Sequence, residues 1–374
     1  MMRNTDAQVL FTPGPLNTSA TVKSAMLDDI GSRTTASSEL TSRICSKLLD
    51  AYAIGDAFAA IPVQGSGTFA VEAMLTSCLP ATDYCIGVLV NGEYSKRMLE
   101  ICEIYGLHHV PLQCDTETAI DPARVDAFLL EHPQISHLAL VHFETGLGVL
   151  NDLAQLASVC ERRSVQLLLD AISTFGALPI PFDSPALAAV ALSANKCLHS
   201  VPGIAFVIAR KAALQPSVRR SLSLDLNAQW RKLENGHQWR FTPPTHVLLA
   251  FDQALDEWAR EGKAERRLDK YQQLNRHLVR RLAEQGIVPL LDAHHRAPMI
   301  TTFLLPETFA LSFEQLYRHL EAAQLIIYPS TYSTARSFRI GCIGELVRAD
   351  IDRLADALRN VTSSSQLIEP AAHA

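Results

Sequence analysis

The sequence predicts an α/β protein: a large domain on a mainly parallel sheet with helices on both faces, then a smaller α+β domain. Three observations carry this. Apolar strand-length runs, polar turns and helical stretches alternate through about residue 210, the rhythm of crossover units. A long, heavily charged helical stretch then runs from Phe251 to Leu282, as a connecting helix between domains does. After it the order changes to strand, helix, strand, strand, helix, which suits a compact α+β unit.

Length and composition bound the rest. A chain of 374 residues exceeds one ordinary core, and its 48% hydrophobic content is enough to fill two. The divisions read as 1–17, a leading segment; 18–255, the large domain; 256–365, the small domain; and 366–374, a tail, with fraying expected from Thr362. A net charge of -6 and a pI near 6.1 give no basic surface for nucleic acid. The apolar runs are too short to span a bilayer, and no basic-then-apolar leader opens the chain. The eight scattered cysteines form no C-x-x-C pair, so reduced thiols in the cytoplasm and no metal site are expected.

In chain order, Phe11-Thr12-Pro13-Gly14-Pro15 is a rigid, turn-rich leading segment. Thr18 and Ser19 offer caps for a helix through Val22, Met26 and Leu27. Residues 31–38 are small and polar and read as a loop, before a helix over 40–51. A short strand then turns through Gln64-Gly65-Ser66-Gly67-Thr68 into a helix of good formers. Backbone N–H groups and two hydroxyls at a helix start make a phosphate cradle. By itself this turn does not separate a cradle from a plain strand-to-helix connection, and it lacks the endings of a P-loop or a dinucleotide fingerprint.

Strands follow over 84–90, ending at Asn91-Gly92-Glu93-Tyr94, and over 136–141, ending at His142-Phe143-Glu144-Thr145-Gly146. A helix over 153–162 leads into Gln166-Leu167-Leu168-Leu169-Asp170, an apolar run that closes on a carboxylate. A segment over 190–192 ends in Ser193-Ala194-Asn195-Lys196, and 204–208 could return antiparallel. Further on, strands are expected over 299–305, 326–328 and 337–340, with helices over 313–323 and 349–358. Arg339 stands on the last strand, read as an edge strand, where its fork could meet an oxyanion.

Ligands of open α/β sheets bind beyond the carboxyl ends of strands. A carboxylate and a lysine at successive strand ends, Asp170 and Lys196, fit pyridoxal 5′-phosphate (PLP): the lysine for a Schiff base, the acid for the pyridinium nitrogen. Tyr94, at a third strand end, could stack on a flat ring.

The ordered set "FTPGPLNTS", "QGSGTFAVEA", "NGEY", "DAISTFG", "SANKCLHSVPG", "SLSLDL", "WRFTPPTH" and "FRIGCIGE" spans nearly the whole chain. It resembles the class V, fold-type I PLP-dependent aminotransferases, and among them the branch acting on 2-aminoethylphosphonate and pyruvate. The resemblance implies a seven-stranded type of sheet in the large domain. It implies Lys196 and Asp170 as catalytic residues, with Ser66, Gly67 and Thr68 on the cofactor phosphate. It implies Tyr94 over the ring, Thr145 near its edge, and Arg339 on the substrate's carboxylate or phosphonate. Thr245 would reach the phosphate of a partner subunit, which implies a homodimer with shared sites. The small-molecule partners are then an amino donor and a keto acid.

The departures gather around substrate rather than cofactor. Gly146-Leu147 stands where the family has hydroxyls, and His199-Ser200 where it has Gln/Glu-Gly. Pro329-Ser330-Thr331 replaces a Pro-Gly-Lys loop, and a Ser/Thr-rich stretch over 31–38 replaces an acidic, aromatic one. Arg33, within that stretch, is the candidate to compensate for the lost lysine at the substrate. The expected activity is transfer of an amino group from 2-aminoethylphosphonate or a related small aminophosphonate to pyruvate. The alternatives are a PLP-dependent lyase, an aminotransferase for another small amino acid, and a silent binding subunit.

Overall fold

The computed structural model describes residues 7–214, 218–236, 238–306, 309, 312–331 and 336–365; the expected tail, 366–374, lies outside the described residues. Seven strands form the large sheet. Across it they run Phe58–Gln64, Ile204–Arg210, Leu187–Ser193, Gln166–Asp170, His137–Val141, Ile86–Val90 and His109–Gln113. Only Ile204–Arg210 is antiparallel to its neighbours, so the other carboxyl ends share one edge. The expectation of a mainly parallel sheet with one return strand is met.

The strands are apolar on both faces because both are covered. Along Gln166–Asp170, Leu167 and Leu169 pack into one cluster and Leu168 into the other, the period-2 alternation of a pleated strand. Each such buried leucine contributes about 1.5–3 kcal/mol. The neighbouring strand is largely alanine on one face, where Ala189 and Ala191 admit the helix Gly67–Ser77 at close range.

The second unit has a four-stranded antiparallel sheet in the order Val288–Pro289, Ile300–Leu304, Ser337–Gly341, Tyr328–Pro329. Arg339 therefore sits on an interior strand, not an edge, because Tyr328–Pro329 pairs outside it. The strand expected over 326–328 is divided: Leu325–Ile326 pairs in parallel with Val9–Leu10, and Tyr328–Pro329 joins the four-stranded sheet. That pairing ties the leading segment to the second unit.

The single charged helix expected over 251–282 is two helices, Thr245–Glu261 and Lys263–Ala283. Gly262 interrupts them at φ +106°, a left-handed position where a Cβ would also stand 2.5 Å from Arg266 Cγ. Leu248, Phe251, Leu255 and Trp258 pack on the large sheet, while Leu274, Leu278 and Leu282 pack with Phe303 and Phe338.

Three boundaries move for local reasons. The loop read over 31–38 is helical from Thr35, because Thr34 accepts from the Ser37 N–H and caps Thr35–Asp50. The first helix closes at Ser24 and tightens to a 3₁₀ turn over Ala25–Leu27. The last helix runs on to Ser365, past the expected fraying point. A strand at His109–Gln113 and a helix at Pro122–Glu131 had no clear apolar rhythm and were not anticipated.

Candidate active site

Asp170 and Lys196 follow successive parallel strands and line one cavity of about 220 Å³. Ser66, Gly67, Thr68 and Tyr94, from two further strand ends, line it with them. Within one chain the cavity lining leaves out Thr145, Arg339, Arg33 and Thr245. A larger basic groove of about 530 Å³, beside Arg219, Arg220 and Arg240, holds none of the strand-end residues.

Lys196 is half-buried and its Nζ donates to the Pro13 carbonyl at 2.7 Å. Gly14 lies against the same amine: its φ is +129°, and a Cβ there would stand 2.6 Å from Nζ. The Pro-Gly-Pro segment therefore covers the lysine, and Gly14 is the residue that permits the approach. Burial pushes Lys196 down to about 8, with the Arg339 charge acting in the same direction. A neutral, nucleophilic amine is thus accessible near physiological pH.

Asp170 is moved the other way. Burial pushes its carboxyl up to about 7, against one hydrogen bond from the Ile172 N–H at 2.9 Å. A carboxylate so placed lacks a full cationic partner, and a protonated ring nitrogen would supply one. The neighbouring His142 donates its backbone N–H to the Asp170 carbonyl at 2.9 Å, and its Nδ1 lies 2.8 Å from Thr174 Oγ1. Burial pushes this imidazole down to about 3, so it stays neutral.

The cradle is open. Ser66 caps Gly67–Ser77 by position, yet its side chain makes no capping bond, which leaves the hydroxyl and the first N–H groups for an anion. A Cβ at Gly67 would stand 2.5 Å from Ile172 Cδ1, so no larger residue fits there.

Tyr94 owes its place to a residue the sequence reading did not single out. The buried Glu144 carboxylate accepts from the Ser95 N–H at 2.6 Å and the Tyr94 N–H at 3.2 Å, capping the helix Glu93–Ile104 from a neighbouring strand end. A Cβ at Gly92 would strike that carboxylate at 2.5 Å. Burial raises Glu144, and its charge in turn helps to raise Asp170.

Arg339 is buried; it donates through Nε to the Pro329 carbonyl at 2.8 Å and through Nη1 to the Thr145 carbonyl at 2.8 Å. The bond to Thr145 reaches from the second unit to the loop after the His137–Val141 strand, while the bond to Pro329 lies within the four-stranded sheet. Thr331 sits beside them, its N–H 3.4 Å from the Gly146 carbonyl, and a Cβ on Gly146 would meet Thr331 Oγ1 at 2.6 Å. Arg33 instead donates to Gln238 Oε1 at 3.1 Å and the Trp239 carbonyl at 3.3 Å. Thr245 is half-buried at the first turn of its helix.

Behind Lys196, His199, which the sequence marked only as a departure, joins a set whose other members the sequence did not reveal. His199 adopts φ +54° and donates its N–H to the Lys196 carbonyl at 2.9 Å, closing the lysine's turn. Its Nε2 accepts from the Gly344 N–H at 2.9 Å and lies 2.6 Å from the Tyr271 hydroxyl. Arg267 donates to the Cys197 carbonyl at 2.7 Å. Burial holds His199 neutral, down at about 3, so the brace persists across ordinary pH. The departure at His199-Ser200 thus has a structural outcome: an imidazole acceptor joins the lysine's loop to the turn after the Arg339 strand.

The class-V aminotransferase family model matches residues 59–323, more than half of the chain. The protein belongs to that family. Its cofactor is accordingly PLP. It is similar to the 2-aminoethylphosphonate–pyruvate transaminase of Burkholderia ambifaria, 40% identical over 358 residues, covering 95% of this chain and 96% of that one. The transaminase of the same name from Aeromonas hydrophila is 41% identical over 357 residues, covering 94% of each chain. Among solved structures, an alanine–glyoxylate aminotransferase from Nostoc sp. matches with a TM-score of 0.87 at 24% identity, covering 96% of each chain. A pyridoxamine–pyruvate aminotransferase from Mesorhizobium loti matches at 0.86 and 19% identity, covering 98% of this chain and 94% of that one. The chain is a PLP-dependent aminotransferase with the fold-type I architecture. No helix among the described residues is long and apolar enough to cross a membrane, and no acidic, His or Cys cluster there could hold a metal. All eight cysteines are free thiols.

Proposed function

We propose that this enzyme moves the amino group of 2-aminoethylphosphonate, or of a closely related small aminophosphonate, to pyruvate. The products are a phosphonoacetaldehyde-type aldehyde and alanine. The observation that carries the reading is the full-length likeness to relatives named for that reaction, and the buried Arg339 beside the cavity supports it. When bound, PLP supplies an electron sink for the reacting carbon. Lys196 would hold the cofactor through its side-chain amine, and that amine, once the donor's amine has taken its place, would move the proton at the donor's amine-bearing carbon. Asp170 holds the proton on the ring nitrogen. Ser66, Gly67 and Thr68 would hold the phosphate and Tyr94 the ring, with Thr145 the family's counterpart beside it. Arg339 grips the donor's phosphonate and, in the second half-reaction, pyruvate's carboxylate.

A second reading concerns the donor. Thr331 seats a neutral hydroxyl against Gly146 where the family carries a cation, and Arg33 is engaged with Gln238 and Trp239. A phosphonate dianion loses a charge-assisted contact worth roughly 1.5–3 kcal/mol there. Under this reading a donor with an added hydroxyl or carboxyl group is preferred. The test is kcat/KM for 2-aminoethylphosphonate against hydroxylated and carboxylated analogues, with alanine formation from pyruvate as readout. Thr331→Lys should raise the efficiency on the unsubstituted compound about tenfold to a hundredfold. If the unsubstituted compound is already the best of the panel, above about 10⁴ M⁻¹s⁻¹, the second reading fails. Product without alanine would make the enzyme a lyase, and no product from any donor would leave a binding subunit.

We also propose a homodimer in which Thr245 of one chain completes the phosphate site of the other. Two features support it: Thr245 does not line its own chain's cavity, and Phe69 and Phe241, each nearly half exposed, flank an apolar groove of about 450 Å³ beside the cradle helix. Sedimentation should give twice the chain mass, and Thr245→Ala should release PLP faster. A monomer with undiminished PLP affinity would exclude this arrangement. The eight free thiols are in keeping with a reducing cytoplasm.

A further inference from the structure

Arg97 lies three residues beyond Tyr94 on one helix, a spacing that puts both on the same face. Its guanidinium carbon is 5.1 Å from the Tyr94 ring centroid, within cation–π range. Its Nη1 donates to Thr68 Oγ1 at 3.2 Å. It lines the same cavity as Ser66, Gly67, Asp170 and Lys196, and its charge draws the Asp170 carboxyl downward.

The charges of that lining frame the inference. The ionisable side chains there, apart from the Tyr94 phenol, are Asp170, Lys196 and Arg97. The cofactor brings a phosphate ester carrying close to two negative charges, and the Lys196 amine is committed to the aldehyde. Among the described lining residues, Arg97 is then the cation left for the phosphate. The direction of its hydrogen bond adds to this. A threonine hydroxyl has one proton and two lone pairs. With a guanidinium N–H seated on one lone pair, the Thr68 proton remains for an acceptor, and a phosphate oxygen at the helix start is such an acceptor.

We propose that Arg97 is a further element of the phosphate subsite: it presents the Thr68 hydroxyl as a donor, supplies positive charge at the cavity rim, and steadies the Tyr94 ring.

The test compares binding of PLP with binding of pyridoxal, which has the same ring and aldehyde but no phosphate. Cofactor-free wild type, Arg97→Gln and Arg97→Lys would be titrated with each, and a thermal melt of each cofactor-free protein would report folding. Loss of a charge-assisted contact predicts that Arg97→Gln weakens PLP binding about tenfold to a hundredfold. Pyridoxal should change less than threefold, and Arg97→Lys should recover part of the PLP loss. Adding Thr68→Ala to Arg97→Gln should cost less than Thr68→Ala costs alone, because the two groups act as a unit. Equal losses for PLP and pyridoxal would overturn the proposal, since Arg97 would then act on the ring alone. Unchanged PLP affinity would overturn it as well, leaving Arg97 a surface cation.

Discussion

Lys196→Ala is expected to leave a folded protein with no detectable amino transfer. The methyl side chain has no amine to bond the cofactor, so the absorbance that bound PLP acquires from this lysine should vanish with the activity. Folding should survive, because the change removes a half-buried ammonium whose burial is unfavourable. The pH dependence gives an independent sign. The lysine sits at about 8 in the folded chain and near 10.5 when unfolded. Between those values the unfolded state binds more protons, so the stability of the cofactor-free wild type rises with pH across that window. The variant should lack that rise, which thermal melts at pH 7.5 and pH 10 would report as a difference between the two proteins. Wild-type turnover by Lys196→Ala would reject the assignment.

Asp170→Asn should act with opposite signs on stability and on rate. In the cofactor-free protein the carboxyl is held up at about 7 against an ordinary value of 3.8. Between these the folded state binds more protons, so stability falls as pH rises through the window, and the amide should remove that fall. At pH 8 the cofactor-free variant should therefore melt above wild type. With PLP the order reverses, because the ring nitrogen loses the charge that keeps its proton. Breaking a buried pair of this kind costs about 3–5 kcal/mol, roughly a hundredfold to several thousandfold in rate. A loss below tenfold would mean that Asp170 is not the ring-nitrogen partner.

Other parts of the site differ in how far the sequence exposes them. The strand ends at Asp170 and Lys196 were legible because each is a local pattern: an apolar run that closes on a carboxylate, and one followed within four residues by a lysine. Tyr94 and the Ser66-Gly67-Thr68 turn follow the same logic, one short segment at a time. Arg97 could have been found by the i,i+3 spacing from Tyr94, but helical periodicity alone does not say that this face meets Thr68. The charged run after Phe251 showed helix correctly and hid its break, since Gly262 among good formers reads as tolerable until its left-handed φ is seen.

The sequence by itself determined the fold class, the cofactor and the residues at the strand ends that line the cavity, because apolar runs and turn chemistry act over a few neighbours. Only the tertiary structure decided what surrounds those residues. The Glu144 carboxylate reaches Ser95 across 49 positions, the Pro13 carbonyl reaches Lys196 across 183, and Thr145 reaches Arg339 across 194. His199 likewise meets Gly344 across 145 positions to brace the lysine's turn. Hydrogen bonds and pKa shifts depend on distance through space and on burial, and neither quantity exists until the strands have been set side by side.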